Sequence, residues 1–115
     1  MYLPRVIQYN AKIREAAVRY AEIADFIGLG GDGTDEKVAA LVAEIKKMNA
    51  SLDIPDSIKE YEGGIIDEKE FMEKLPAVAE LAIGDACTGS NPRVPVQEEM
   101  EKLLKACFYG EDIDF

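Results

Sequence analysis

The most varied set of side chains in this sequence lies near its carboxyl end, in the run Cys87–Pro95. It combines a thiol, hydroxyls, an amide and a guanidinium with two prolines that fix the backbone. Gly89 would permit the close approach of a neighbouring group. One interpretation is a functional site. The other is a rigid connection in which Thr88 and Asn91 satisfy loose backbone groups, and the residues alone leave both open.

Histidine, the commonest general base near neutral pH and the commonest transition-metal ligand, is absent from the sequence. A self-sufficient hydrolase and a histidine-ligated metal site are therefore excluded, although chemistry by carboxylates is not. Cys87 and Cys107 are far apart and form no CxxC pair, so reduced thiols in a cytoplasmic protein are the simplest interpretation. We expect no catalytic residue and no metal ligand within this chain.

A glycine-rich segment, Gly28–Gly33, matches the dinucleotide fingerprint G-x-G-x-x-G. The functional fingerprint follows a strand and opens a helix whose amino end holds pyrophosphate. Here helical periodicity precedes it, and Asp32, Asp35 and Glu36 fill the position that attracts anions. We predict a helix–helix loop, with no cofactor bound by this chain. The same acidic residues lack the spacing of a calcium loop and are interpreted as a capped helix start.

Helical periodicity runs through nearly the whole sequence, and no segment shows the sustained two-residue alternation of a strand. We predict an all-α fold, a compact domain of about five to seven helices. The first helix is already under way at Met1. The other helical segments are expected over 12–27, over 35–52, in a short turn from Ser57, on either side of a break at Pro76, and over 95–109.

Each segment has a set of apolar residues that is expected to face the core. The residues expected inward include Ile13, Ile23, Ile27, Met48, Leu52, Val78, Leu81, Val96, Met100 and Leu103.

The charge of the chain limits its partners. The formal net charge is −10 and the isoelectric point is near 4.4, so nucleic acid and anionic membrane surfaces are repelled. No apolar run approaches the roughly 20 residues that a membrane-spanning helix needs. The clustered acidic residues near positions 98–101 are expected on a solvated face, and those of 111–115 in a frayed acidic tail.

Four segments of the chain resemble one protein family. They are Tyr2–Asn10, Arg19–Asp25, Ile54–Lys59 and, most specifically, Cys87–Arg93. In order and spacing they resemble the C-terminal helical domain of iron-containing alcohol dehydrogenases, most of all the alcohol dehydrogenase half of bifunctional aldehyde–alcohol dehydrogenases. The resemblance covers nearly the whole chain, from about residue 2 to residue 110.

The resemblance implies a two-domain oxidoreductase. In that family a cleft between a nucleotide-binding domain and the helical domain holds NAD(P) and iron, which is bound by one aspartate and three histidines. The metal polarises the alcohol or aldehyde oxygen while hydride moves to or from the nicotinamide. The run near Cys87 lies beside the substrate cleft. The substrate-pocket wall implied for this chain is Cys87, Thr88, Gly89, Asn91 and Arg93.

The chain departs from the family in having neither the nucleotide-binding domain nor a histidine. The last ligand histidine would fall shortly before Met1. We therefore expect residues 1–110 to be a C-terminal subdomain that supplies cleft wall and packing surface and is inactive alone, with 111–115 as its tail. The expected partners are the missing domain and a second copy, contacted through Leu3, Val6, Ile7 and Tyr9. The alternative is an independent acidic helical protein-interaction module.

Overall fold

The computed structural model describes all 115 residues. It contains five α-helices and no strand, which confirms the predicted all-α class. Two 3₁₀ turns, Tyr61–Gly63 and Thr88–Ser90, lie in the connections. The helices are α1 (Tyr2–Asn10), α2 (Arg14–Phe26), α3 (Thr34–Ser51), α4 (Glu68–Gly84) and α5 (Gln97–Tyr109).

The helices form two pairs that are joined through α1. Helices α2 and α3 pack together as the first pair, and α4 and α5 as the second. Helix α1 packs against α2, α3 and α5, whereas neither helix of the first pair packs directly on the second. The shortest of the five α-helices is therefore central to the fold.

The core is divided in the same way. One cluster lies between α1 and the first pair, a second between α1 and the second pair, and a third beneath the connection to α4. Their buried members are Ile7, Ala17, Ala24, Val38, Leu41 and Val42; Tyr9, Ala79, Met100, Leu103, Ala106 and Ile113; and Ile58, Cys107 and Phe108.

Arg5 attaches α1 to two distant parts of the chain. Its side chain is fully buried, and its guanidinium donates to both Asp56 carboxylate oxygens at 2.9 and 2.7 Å. It also donates to the Asp56 carbonyl oxygen at 2.6 Å and to the Glu111 carbonyl oxygen at 3.0 Å. This hydrogen bonding lowers the pKa of the Asp56 carboxyl below its usual value. A buried charge that loses its partner costs about 3–5 kcal/mol, so this contact holds α1 firmly.

Side chains cap the start of α4 and the start of the turn that precedes it. The Asp67 carboxylate accepts from the Glu70 backbone N–H at 2.9 Å and starts α4. The Ser57 hydroxyl accepts from the Glu60 N–H at 3.2 Å, and Gly64 ends the following turn in the left-handed region with φ of 89°. Such caps satisfy backbone groups that a helix end leaves free.

The predicted break at Pro76 is wrong, because α4 continues through it without interruption. Proline removes one backbone donor from the helix ladder. The neighbouring residues Leu75 and Ala79 are both buried, and Gln97 Nε2 donates to the Pro76 carbonyl oxygen at 3.0 Å. Packing against α5 therefore keeps the segment helical despite the missing bond.

Several apolar residues expected to face the core are exposed instead. In α2 the buried positions are small, Ala16, Ala17, Ala21 and Ala24, so close helix packing leaves larger residues at the edges of the interface. The exposed residues that the sequence placed inward are Ile13, Ile23, Ile27, Met48, Leu52, Val78, Leu81 and Val96. Conversely, Ile7 and Tyr9, expected on an interface with a second copy, are buried inside the chain.

The prediction of a frayed tail is also wrong. The segment 111–115 lies against α1, α3 and the loop before α5. Ile113 is buried in the second core cluster, and the Phe115 ring meets the Tyr9 ring edge-on with centroids 6.1 Å apart. Apolar residues between the acidic ones hold the segment on the protein.

Candidate functional site

The run Cys87–Pro95 turns tightly after the end of α4. The Asp85 carboxylate accepts from the Cys87 backbone N–H at 2.8 Å, and the Ser90 hydroxyl donates to the Cys87 carbonyl oxygen at 2.8 Å. Thr88 Oγ1 donates to the Ala82 carbonyl oxygen at 2.7 Å. These short-range bonds fix the turn, as expected for residues that compete with helical bonding.

Asn91 joins this run to α1. Its side-chain amide pairs reciprocally with that of Asn10, at 2.9 Å in one direction and 2.7 Å in the other. Asn91 also donates to the Arg93 carbonyl oxygen at 2.7 Å. Because Asn10 is buried, an unpaired amide there would cost free energy, and the reciprocal pair makes the contact specific.

Arg93, within the run, directs its side chain against Tyr9 and Glu99. The guanidinium carbon lies 3.9 Å from the Tyr9 ring centroid, a cation–π contact. The guanidinium also donates to Glu99 Oε1 at 2.6 Å and to the Phe115 carbonyl oxygen at 2.8 Å. Arg93 therefore cross-links three elements and has a structural role in this chain.

The phenol of Tyr9 completes this cluster. It donates to Glu99 Oε2 at 2.9 Å. Burial, reinforced by the hydrogen bond to Glu99, raises the pKa of Tyr9 to about 12. The same hydrogen bond lowers the pKa of Glu99. The pair therefore holds one proton on the phenol and a negative charge on the carboxylate throughout the neutral range.

A cavity of about 220 Å³ opens where the run meets α1 and α5. Three of the five residues predicted as pocket wall, Cys87, Thr88 and Asn91, border it, whereas Gly89 and Arg93 do not. The complete lining is Val6, Tyr9, Cys87, Thr88, Asn91, Pro95, Met100 and Leu103.

Gly89 does not have the close contact that the sequence suggested. A Cβ atom built there would meet no heavy atom within 4 Å.

The two thiols are not equivalent. Cys87 is exposed, whereas Cys107 is buried, and its burial raises the pKa of the thiol to about 11. Only Cys87 is both accessible and adjacent to the cavity.

Sequence reasoning missed the residues that support the run from behind, Tyr9, Asn10 and Glu99. One signal was available, because Glu99 stands three positions after Val96 and its carboxylate accepts from the Val96 N–H at 3.3 Å. That spacing is typical of a helix start. Tyr9 and Asn10 gave no comparable local signal, since their partners are distant in sequence.

Comparison of the sequence with known proteins identifies a family. Residues 1–108 match the sequence model of a family described as "Fe-containing alcohol dehydrogenase family, C-terminal". The matched range includes the whole run and every residue bordering the cavity. The chain belongs to this family.

Individual members of the family are similar to the chain over most of its length. It is 44% identical over 115 residues to an NADPH-dependent butanol dehydrogenase of Clostridium saccharobutylicum, covering 100% of the chain and 28% of that protein. It is 43% identical over 121 residues to an aldehyde-alcohol dehydrogenase of Clostridium acetobutylicum, covering 94% and 14%.

A bifunctional aldehyde-alcohol dehydrogenase of Escherichia coli is 40% identical over 100 residues, covering 85% of the chain and 11% of that protein. The chain thus spans little more than a quarter, or less, of the length of these relatives.

The residues of this chain do not fit the iron that the family is named for. No group of three or more histidine, cysteine, aspartate or glutamate side chains is arranged to hold a metal ion. The donor set for iron is therefore not formed by these 115 residues.

The glycine-rich segment does not fit a dinucleotide either. It lies between α2 and α3, which confirms the predicted helix–helix loop. The Glu36 carboxylate accepts from the Asp32 N–H at 2.9 Å, so an acidic side chain occupies the amino end of α3 where a phosphate would bind.

None of the helices combines the length and the apolar character needed to cross a membrane.

Proposed function

We propose that this chain is the C-terminal helical part, residues 1–110, of an NAD(P)- and iron-dependent alcohol dehydrogenase that interconverts alcohol and aldehyde. The observation that carries the proposal is the family match over residues 1–108, within which Cys87, Thr88 and Asn91 border one cavity. In this enzyme the chain supplies cleft wall and packing surface. NAD(P) and iron would be held by residues outside the chain and would supply hydride transfer and polarisation of the oxygen.

The cavity wall suits the carbon chain of an alcohol better than its polar end. The Thr88 hydroxyl and the Asn91 amide are engaged with Ala82, Asn10 and Arg93. The cavity therefore presents mainly apolar side chains, with the Cys87 thiol at its rim. We infer that this wall contributes shape and desolvation to substrate binding, and no proton transfer.

Cross-linking behind the wall would keep it rigid. The Asn10–Asn91 amide pair and the Arg93–Glu99 ion pair both tie the run to neighbouring helices. A wall that is fixed before substrate arrives costs less ordering on binding. We also propose that the chain contacts two partners, the nucleotide-binding domain of the enzyme and a second copy of itself. We propose that the enzyme is cytoplasmic.

Binding measurements on the isolated chain test the proposal. We expect no ethanol oxidation and no appreciable binding of NADH or of ferrous iron under anaerobic conditions, measured by calorimetric titration. Micromolar binding of either would contradict the assignment of cofactor binding to other residues.

Sequencing the DNA upstream of the Met1 codon is the complementary test. The absence of an in-frame nucleotide-binding or histidine-containing sequence there would contradict an intact-enzyme origin.

A second candidate function is an independent interaction module. An open apolar depression of about 330 Å³ is bordered by Ile65, Ile66, Phe71, Leu75 and Val78, and such a groove can receive a partner helix. A pull-down with the purified chain separates the two functions. A specific, stoichiometric partner that is not a dehydrogenase segment would favour the module.

A further inference from the structure

The two helix pairs have few structural connections with each other. Neither helix of the first pair packs directly on a helix of the second, and α1 lies between them. The pairs have separate apolar clusters. A single short helix between two packed units leaves their relative angle dependent on whatever else bridges them.

The segment 111–115, here called the strap, is such a bridge. Asp112 Oδ1 accepts from Lys46 Nζ of α3 at 2.6 Å and from Gln8 Nε2 of α1 at 2.9 Å. The Ile113 backbone N–H donates to Gln8 Oε1 at 3.1 Å. The strap therefore contacts the first pair through Lys46 and the central helix through Gln8.

One end of the strap is bound to α1 and the other to the loop before α5. The Glu111 carbonyl oxygen accepts from Arg5 Nε at 3.0 Å, and the Phe115 carbonyl oxygen accepts from Arg93 at 2.8 Å. Ile113 is buried in the cluster formed with α4 and α5. The chain leaves α5 through Gly110, whose φ of 79° lies in the left-handed region, where other residues are strained. The direction of the strap is thus set by the backbone as well as by its contacts.

The strap's connection to the first pair is weaker than its connection to the second. Lys46 and Asp112 have 31% and 63% of their side-chain surface exposed, and ion pairs with this exposure are weak and screened by salt. The apolar anchor, Ile113, belongs to the second cluster. The contact with α3 can therefore open while both helix pairs stay folded.

We propose that the strap restrains the relative orientation of the two helix pairs, and that opening its contact with α3 widens the range over which the first pair moves about α1. The proposal concerns the folded chain itself and does not depend on the enzymatic function proposed above. It assigns a conformational role to residues that lie outside the range matched by the family model.

Distance measurements between the two pairs test the proposal on the full chain. One spin label is attached at Cys87, which is exposed in the second half of the molecule. The other is attached through Ala43→Cys at an exposed position of α3. Cys107 is buried and remains unlabelled. Asp112→Asn removes the charge that α3 contacts, and Asp114→Asn, at an exposed residue with no ion pair, is the matched control.

We expect a narrow distance distribution in the parent and in Asp114→Asn, and one about twice as wide in Asp112→Asn. Ile113→Ala should broaden it further, with the far-ultraviolet helical signal retained. High salt should broaden the distribution of the parent but not that of Asp112→Asn. An unchanged distribution in both strap variants would overturn the proposal. So would loss of the helical signal in both, since the segment would then be an ordinary part of the core.

Discussion

The thiols of Cys87 and Cys107 differ in the property that controls their chemistry, the access of a reagent to sulfur. Cys107 is buried, and that burial raises its pKa to about 11, whereas Cys87 is exposed. Because the thiolate is the reactive form, we predict that one thiol per native chain reacts with an aromatic disulfide near neutral pH. The second should react only after denaturation.

Single substitutions assign the two reactions. Cys87→Ser should remove the fast reaction, and Cys107→Ser should preserve it. Equal reaction rates for both thiols in the native wild-type chain would contradict the burial of Cys107. We expect no protection of Cys87 by a short-chain alcohol in the isolated chain, because our proposal assigns the rest of the cleft to residues outside it.

Ionisation of Tyr9 is expected to lower the stability of the chain at alkaline pH. The folded chain holds the phenol proton up to a pKa of about 12, because of burial and the hydrogen bond to Glu99, whereas an unfolded tyrosine releases it near 10. The contribution of Tyr9 to the free energy of unfolding is therefore complete below pH 10. It is lost as the pH rises from 10 through 12, and amounts to on the order of 3 kcal/mol.

Denaturant unfolding at a series of alkaline pH values measures this effect. Tyr9→Phe, which cannot ionise, should show a shallower decline of the free energy of unfolding over that range than the wild type. Glu99→Gln should lower the pKa of Tyr9 in the folded chain, so that the decline, which still begins near pH 10, is smaller and ends at a lower pH. An identical decline in the wild type and Tyr9→Phe would show that other groups control the alkaline limb.

Among the helices, α4 contains a removable defect at Pro76. Proline in a helix interior is about 3 kcal/mol less favourable than alanine, although it also restricts the unfolded chain. Pro76 is exposed and its carbonyl still accepts from Gln97. We predict that Pro76→Ala raises the free energy of unfolding by about 1–2 kcal/mol, as measured by urea denaturation.

The neighbouring exposed position provides the control. Ala77→Gly should lower the free energy of unfolding by about 1 kcal/mol, the ordinary cost of glycine in a helix. If Pro76→Ala were also destabilising, the proline ring itself would have to be contributing to the packing of α4 on α5.

At the scale of the whole molecule, self-association depends on α1 and on net charge. The outer face of α1 carries exposed Tyr2 and Leu3, although Ile7 and Tyr9 are turned inward. A net charge of −10 opposes association, and salt screens that repulsion beyond about 8–10 Å. We predict a homodimer that sedimentation equilibrium detects at moderate salt and that tightens as salt is raised.

Leu3→Glu should weaken this dimer by at least about tenfold, equivalent to roughly 1.4 kcal/mol, by placing a charge at the interface. Leu81→Glu, at an exposed position of α4, adds the same negative charge away from α1 and serves as the control. Sedimentation that shows only monomer at high protein concentration and moderate salt would contradict the prediction.

The sequence by itself determined the all-α class, the approximate helix positions and the local caps. Helical periodicity, capping residues and helix-ending glycines each involve residues only a few positions apart. The helices that they indicate can therefore be recognised without knowing the fold. The hydrogen bond between Asp67 and Glu70 spans three positions. The Cys87–Pro95 run could likewise be recognised from its composition. In the structure the run is a tightly hydrogen-bonded connection and also borders a cavity.

The tertiary structure decided what depends on distant partners. Asn10 and Asn91 are 81 positions apart, and Arg5 and Glu111 are 106 apart. No local pattern pairs such residues, because their proximity follows from how α1 packs between the two helix pairs. Packing of α4 on α5 keeps α4 continuous through Pro76, and Leu81 lies on the exposed face of that helix. The acidic end of the chain folds onto the core because burial of Ile113 and pairing of Asp112 outweigh the conformational freedom of the tail.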